Sequence, residues 1–303
     1  MESLIEFEGK DLLPESLKGK AEYVFGLLDI SENSKREYLY RISLFLNFIE
    51  KRAFRLDSFL EFKRYLGGRE EYSASTKNKY LASARVLLKE LSRRGLIPDI
   101  TLNVKGFNQS QKHKQEGLSK EEIIRLKDRI KTLPDTSKNS RIKALFCLFV
   151  LQGLRQVEVI RLNREDLDLV SAIAHIRGKG RDDKEMVYLN PETVKTLKNY
   201  IKACNIGSGA LFKSLGNRKS KRLSERTLKR DFEGLFRGLN INKTIHGFRH
   251  YYITNLLQNF EVSTVRKFSR HKSLDMLIVY DDELDLSEKK EKVFDCFSGL
   301  SVT

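Results

Sequence analysis

Residues 172–189 read AIAHIRGKGRDDKEMVYL. Two short runs within it alternate apolar and polar side chains, and a glycine-rich, charged turn separates them. That is the signature of a β-hairpin. The segments on either side instead repeat their apolar positions at helical spacing. One hairpin among helices predicts a mainly α chain with a small β-sheet.

Working outward, SRIKALFCLFVLQGL (140–154) is apolar nearly all round, as a buried helix is. LSKEEIIRLKDRIKTL (118–133) starts a helix with a capping-box pattern from Ser119 to Glu122. Before it, DITLNVKGFNQSQKHKQEG (99–117) is polar and aperiodic and reads as an interdomain linker. Upstream, SENSKREYLYRISLFLNFIEKR (31–52) places Leu39, Ile42, Leu46 and Ile49 on one helix face. SASTKNKYLASARVLLKELSRRGLIPD (73–99) does so with Tyr80, Leu81, Ala84, Leu87, Leu88 and Leu91, and Gly95 and Pro98 stop it. A shorter apolar segment, LDSFLEFKRYL (56–66), lies between them. After the hairpin, helices are expected at 191–203, at 224–238 and from Gly247 onward. The expected layout is a helical domain over 1–108, a linker over 109–117, a mixed domain over 118–285 and a tail helix over 286–303.

The chain has 303 residues, enough for two cores, and its 32% charged and 40% hydrophobic content fits a soluble globular protein. No run approaches the roughly 18 apolar residues of a membrane span. Met1 leads into Glu2 and Glu6, which argues against a secretory signal. Cys147, Cys204 and Cys296 lack metal-ligand or CxxC spacing and read as reduced structural thiols. Net charge is +16, distributed as −4 over residues 1–50, +12 over 51–150, +1 over 151–200, +9 over 201–250 and −2 over 251–303. Two separated basic stretches suit a body that grips a polyanion from two sides, and the usual polyanion is nucleic acid.

Three features point to chemistry on phosphate. In GLRQVEVIRL (153–162), Arg155 follows a buried helix and needs an anionic partner, and Glu158 at i+3 is the local candidate. A plain helix-end ion pair fits the same residues. In RGKGR (177–181), Lys179 sits between two glycines, where backbone can approach a ligand closely. In IHGFRHYYITNLL (245–257), His246 and Arg249 share a helix face. His246 and His250 have the spacing of a zinc-protease helix, but that motif needs Glu after the first His, and Gly247 stands there, so no metal is expected. Phe248, Tyr252 and Leu256 follow a core stride, which makes Tyr251 and Tyr252 packing residues rather than nucleophiles. Farther on, RKFSRHKSLDMLIVYDDELDL (266–286) supplies His271 and, nine residues later, Tyr280 beside Asp281, Asp282 and Glu283. A phenol ending an apolar run at a polar edge is the expected nucleophile.

Arg155 in GLRxxE, Lys179 in a GKG hairpin, HxxR from His246 to Arg249, then His271 and Tyr280 resemble, in that order, the tyrosine recombinase (phage integrase) family. LFKS (211–214) and the basic helix after it also look like family features, and the overall length is similar to Xer-like and simple integrase members. The chain departs from the family in having Ser269-Arg270 where Leu-Gly is usual, and Asp281-Asp282 where many members have Thr-His. The resemblance implies a helical core-binding domain and a mixed α/β catalytic domain forming a C-shaped clamp on DNA. Tyr280 would attack a phosphodiester to give a 3′-phosphotyrosine, without metal or cofactor. Arg155, Arg249 and His271 would hold the phosphate oxygens, Lys179 would protonate the leaving oxygen, and His246 would assist at the phenol. Implied partners are double-stranded DNA with paired half-sites, a homotetramer assembled on that DNA through the 286–303 tail, and possible accessory proteins, in a cytoplasmic, nucleoid-associated setting. Lys77, Lys79, Arg85, Lys112, Lys114, Arg222, Arg226 and Lys229 are the candidate DNA contacts. A type IB topoisomerase-like enzyme and a non-catalytic DNA-binding protein derived from an integrase are the alternatives.

Overall fold

Apolar residues recurring every three to four positions, broken by cap and turn residues, set most of the elements. The computed structural model describes residues 14–50, 52, 54–108, 117–178, 183–215, 221–274 and 277. The chain divides into two compact units, Met1–Ser110 and Gln111–Thr303.

The first unit contains α1 (Pro14–Leu27), α2 (Glu32–Glu50), α3 (Ser58–Gly67) and α4 (Ala74–Arg93). Ser73 caps α4 by accepting from the Thr76 amide. The core-facing stripe of α2 is Ile42, Phe45, Phe48 and Ile49, while Leu39 and Leu46 are only partly buried. The helix is thus rotated slightly from the expected face, because Phe45 and Phe48 meet Phe62 of α3 at ring distances of 5.0 and 5.4 Å. Large rings remove more apolar area from water than Leu, and such pairs add about 0.5–1.5 kcal/mol each beyond it. Within the polar 99–117 stretch, the first ten residues pack with the first unit. Ile100 and Thr101 are buried, and the Asn78 side chain both donates to the Phe107 carbonyl (2.9 Å) and accepts from its amide (2.7 Å). Residues 99–108 therefore belong to the first unit.

In the second unit, α5 (Lys120–Lys131) opens with the expected Ser119–Glu122 capping box. The helix α6 (Ser137–Gln152), apolar without interruption from Ala144 to Leu151, runs through the core. Then come α7 (Gln156–Arg161), a short 3-10 turn, and a three-stranded antiparallel sheet in the order β1 (Leu167–Asp168), β2 (Ile173–Arg177), β3 (Lys184–Tyr188). The hairpin expected over 172–189 is present, with Ile173 paired to Tyr188 through Arg177 paired to Lys184. The remaining helices are α8 (Pro191–Cys204), α9 (Glu225–Gly238), α10 (His246–Asn259) and α11 (Val262–Ser269). Burial pushes the Cys147 thiol up to about 11, in keeping with an inert core residue, whereas Cys296 lies outside the described residues. Among the described residues no helix is long and apolar enough to cross a membrane.

Two features fix the start of α10. Phe248 packs among Phe146, Phe149, Phe232 and Phe236, with ring distances of 5.5 to 5.9 Å. A buried ion pair, Arg141 to Asp231 at 2.6 Å, ties α6 to α9 beside it. Arg249, next in sequence to Phe248, therefore has little freedom.

Candidate active site

Gly153 ends α6 in the left-handed conformation, with φ 58° and ψ 30°. A Cβ there would come within 2.2 Å of the Tyr252 ring, so both backbone and space demand glycine. The turn does two jobs. It presents the Gly153 carbonyl to Arg249 Nη1 at 2.6 Å, and it delivers Arg155 to the N-cap of α7.

Glu158, buried in the first turn of α7, accepts the Arg155 amide at 2.8 Å and Arg155 Nη1 at 2.7 Å. A second guanidinium reaches the same carboxylate: Arg270 Nη2 lies 2.9 Å from Glu158 Oε2. Burial alone would raise the Glu158 carboxyl, but the Arg270 charge, the Arg155 amide and the Arg155 guanidinium outweigh it and hold the group below its ordinary value. Two guanidiniums meeting one carboxylate leave a local positive excess suited to an incoming phosphodiester.

Arg249 is 2% exposed; its Nη2 donates to the Ser269 carbonyl and lies 3.3 Å from His271 Nε2. Ser269 Oγ lies 2.8 Å from His271 Nδ1 and 3.4 Å from the Arg266 carbonyl. The consistent assignment has the Ser269 hydroxyl donating to that carbonyl while Nδ1–H donates to Oγ, which leaves Nε2 as acceptor for Arg249. Burial, reinforced by the charges of Arg249, Arg155 and Arg270, pushes the His271 pKa down to about 3, so the free site holds a neutral imidazole.

The expected catalytic residues are thus placed as follows. Arg155, Arg249 and His271 come together, joined by Glu158, Ser269 and Arg270. His246 is exposed at the first position of α10. Lys179 and Tyr280 lie outside the described residues, as do Lys112, Lys114 and the 286–303 tail. Gly247 stands where a zinc-protease helix has its glutamate, and its Cβ position is only 3.2 Å from the Leu118 side chain, so the site is built for close packing. The Tyr252 phenol is raised by burial, which suits a packing role and not a nucleophile.

The candidate DNA contacts separate by what they already hold. Arg85 donates to the Val104 carbonyl and lies over the Phe59 ring. Arg222 donates to the carbonyls of Ile160 (2.7 Å) and Leu162 (2.9 Å) and to Asn163 Oδ1 (2.6 Å). Lys77 is half-buried and donates to the Gly67 carbonyl at 2.9 Å. Lys79, Arg226 and Lys229 are exposed, Lys229 with a surface pair to Glu225 at 2.8 Å. Arg270 and Ser269 were not among the expected site residues. Their signal is faint: a cationic residue where the resembling family has glycine.

A sequence profile of the phage integrase family matches residues 116–286. The tyrosine recombinase XerC of Chlamydia caviae is 32% identical over 155 residues, which is 48% of this chain and 49% of that protein. XerC of Lactobacillus delbrueckii subsp. bulgaricus is 26% identical over 223 residues, covering 70% and 73% of the two chains. The match to the Chlamydia relatives spans about half of their length. In structure, the chain is similar to the XerH site-specific recombinase bound to palindromic difH substrate, with a TM-score of 0.69, 18% identity, and 91% and 94% of the chains covered. It is also similar to the Tn1549 transposon integrase in complex with transposon right end DNA, with a TM-score of 0.71, 13% identity, and 94% and 99% covered. At those identities the likeness establishes the fold, mainly α with a small sheet. The profile match takes in more than half of the sequence and runs from the linker past Tyr280, so the chain belongs to the phage integrase family.

Proposed function

We propose that this protein is a site-specific DNA recombinase that cleaves and rejoins strands through a 3′-phosphotyrosine intermediate. The observation that carries the reading is the convergence of Arg155, Arg249 and His271 on one spot with a positive excess. A phosphoryl transition state spreads negative charge over its equatorial oxygens, and forked guanidiniums match them. Losing one such preorganised donor costs about 3–4 kcal/mol, or 10²–10³ in rate.

In the proposed step the Tyr280 oxygen bonds to phosphorus as the P–O5′ bond breaks. Lys179 supplies the proton to the departing 5′-oxygen, and His246 assists removal of the phenolic proton. Esterification conserves the bond, so religation needs no external energy source. His271 accepts from Arg249 in the free site; an anion replacing Arg249 at Nε2 favours the protonated ring, which can then donate to the phosphate.

The partner is double-stranded DNA. Relatives with similar folds have been seen with DNA: XerH with its difH substrate and the Tn1549 integrase with transposon end DNA. Exposed Lys79, Arg226 and Lys229 contact phosphate. Residues 286–303 dock on a neighbouring protomer in a homotetramer. Integration or excision of a mobile element and resolution of dimers use the same chemistry.

The test is metal-free incubation with a pool of nicked suicide duplexes carrying randomised cores. A denaturant-resistant adduct concentrated on one core sequence supports a site-specific recombinase. Adducts on every sequence, with relaxation of any supercoiled plasmid, would point to a topoisomerase, and no adduct would refute both.

A further inference from the structure

The family resemblance leaves Arg270 without a role, because glycine is usual at that position. Yet Arg270 caps α11 in the left-handed conformation, with φ 57° and ψ 42°. A β-carbon is disfavoured there, so an arginine needs compensation. The compensation is visible in its side chain, only 6% exposed, which bonds Glu158 at 2.9 Å and lies 4.0 Å from Glu185 of β3.

We infer that Arg270 is a positioning residue that couples Arg155 to His271 through Glu158. This rests on the recombinase reading and adds a part to the same site. Glu158 Oε1 takes Arg155 Nη1, while Oε2 takes both the Arg155 amide and Arg270 Nη2. Arg270 is covalently next to His271, so its hold on Glu158 fixes the backbone that carries the imidazole. Ser269, on the other side, holds the ring at Nδ1, and its carbonyl holds Arg249. Two guanidiniums 115 positions apart in sequence, those of Arg155 and Arg270, are thus locked to one carboxylate. A Leu-Gly pair at these positions has neither the hydroxyl nor the guanidinium, and would leave the His271 loop tied by backbone alone.

The charged groups facing Glu158 are Arg155 and Arg270, with His271 within electrostatic reach and Glu185 4.0 Å from Arg270 Nε. A merely structural Arg270 and a positioning one differ in what glycine does there. Arg270→Gly relieves the left-handed backbone but strips a buried partner from Glu158, so denaturation curves accompany the kinetics and every rate is referred to folded protein. Single-turnover adduct formation on the suicide-duplex pool is expected to slow by about tenfold or more in Arg270→Gly, and to recover largely in Arg270→Lys. In the free protein, carbon-13 NMR of the Glu158 carboxyl should show its pKa rising in Arg270→Gly and returning in Arg270→Lys. Wild-type adduct rates in Arg270→Gly, an unmoved Glu158 titration, or no rescue by lysine would overturn the inference while leaving the recombinase reading in place. If wild-type protein forms no adduct at all, the recombinase reading falls and this role falls with it.

Discussion

The backbone carbonyl of Gly153 accepts a 2.6 Å hydrogen bond from Arg249 Nη1, so the turn that delivers one arginine of the site also anchors another. Gly153→Ala attacks both at once. The left-handed φ of 58° and the 2.2 Å approach to Tyr252 should destabilise the second unit by about 1–3 kcal/mol. Chemical denaturation checks the stability loss. Adduct formation should fall beyond what the folded fraction explains, and a variant equal to wild type in both would show the turn to be dispensable.

His271 makes a pH prediction. Its folded pKa of about 3 lies below the ordinary value of 6.5, so the unfolded chain binds a proton that the folded chain refuses. Stability from this group is complete above pH 6.5 and is lost as pH falls from there toward 3, by up to about 1.4 kcal/mol per unit. Glu158, also lowered, acts with the same sign below its ordinary value of 4.5. Nitrogen-15 NMR should find the free imidazole neutral at pH 5, with its proton on Nδ1, and His271→Gln should flatten the acid slope. An imidazolium signal at pH 5 would contradict the assignment.

The basic residues fall into two groups with opposite expected phenotypes. Lys79→Ala, Arg226→Ala and Lys229→Ala should each weaken DNA binding at unchanged stability and lower the salt slope by about one. Arg85→Ala and Arg222→Ala should instead destabilise, because Arg85 holds the Val104 carbonyl and Arg222 three acceptors at the C-terminal end of α7. Salt titrations beside denaturation curves would expose any exchange between the groups.

Much of this site can be read from local pattern, and the rest cannot, for physical reasons. The Arg155–Glu158 pair, the Ser119–Glu122 box and the 173–188 hairpin depend on spacings of three or on strand alternation, which a sequence displays directly. The anchoring of residues 99–108 depends on Asn78, 29 positions before Phe107, and polarity alone made that segment look like linker. The turned face of α2 depends on which rings Phe62 accepts. Arg270 is the clearest case. Its left-handed backbone carries a side chain whose guanidinium bonds Glu158, 112 positions earlier. No periodicity encodes such a pairing.

The most direct measurement is to digest the protein–DNA adduct and map the modified residue by mass spectrometry, while labelling the freed DNA end. The expected result is a nucleotide on the peptide containing Tyr280, joined through a 3′-phosphate, with a 5′-hydroxyl on the other strand end and no adduct in Tyr280→Phe. An adduct on Tyr251, Tyr252 or any other residue, or a 5′-phosphotyrosine, would contradict it.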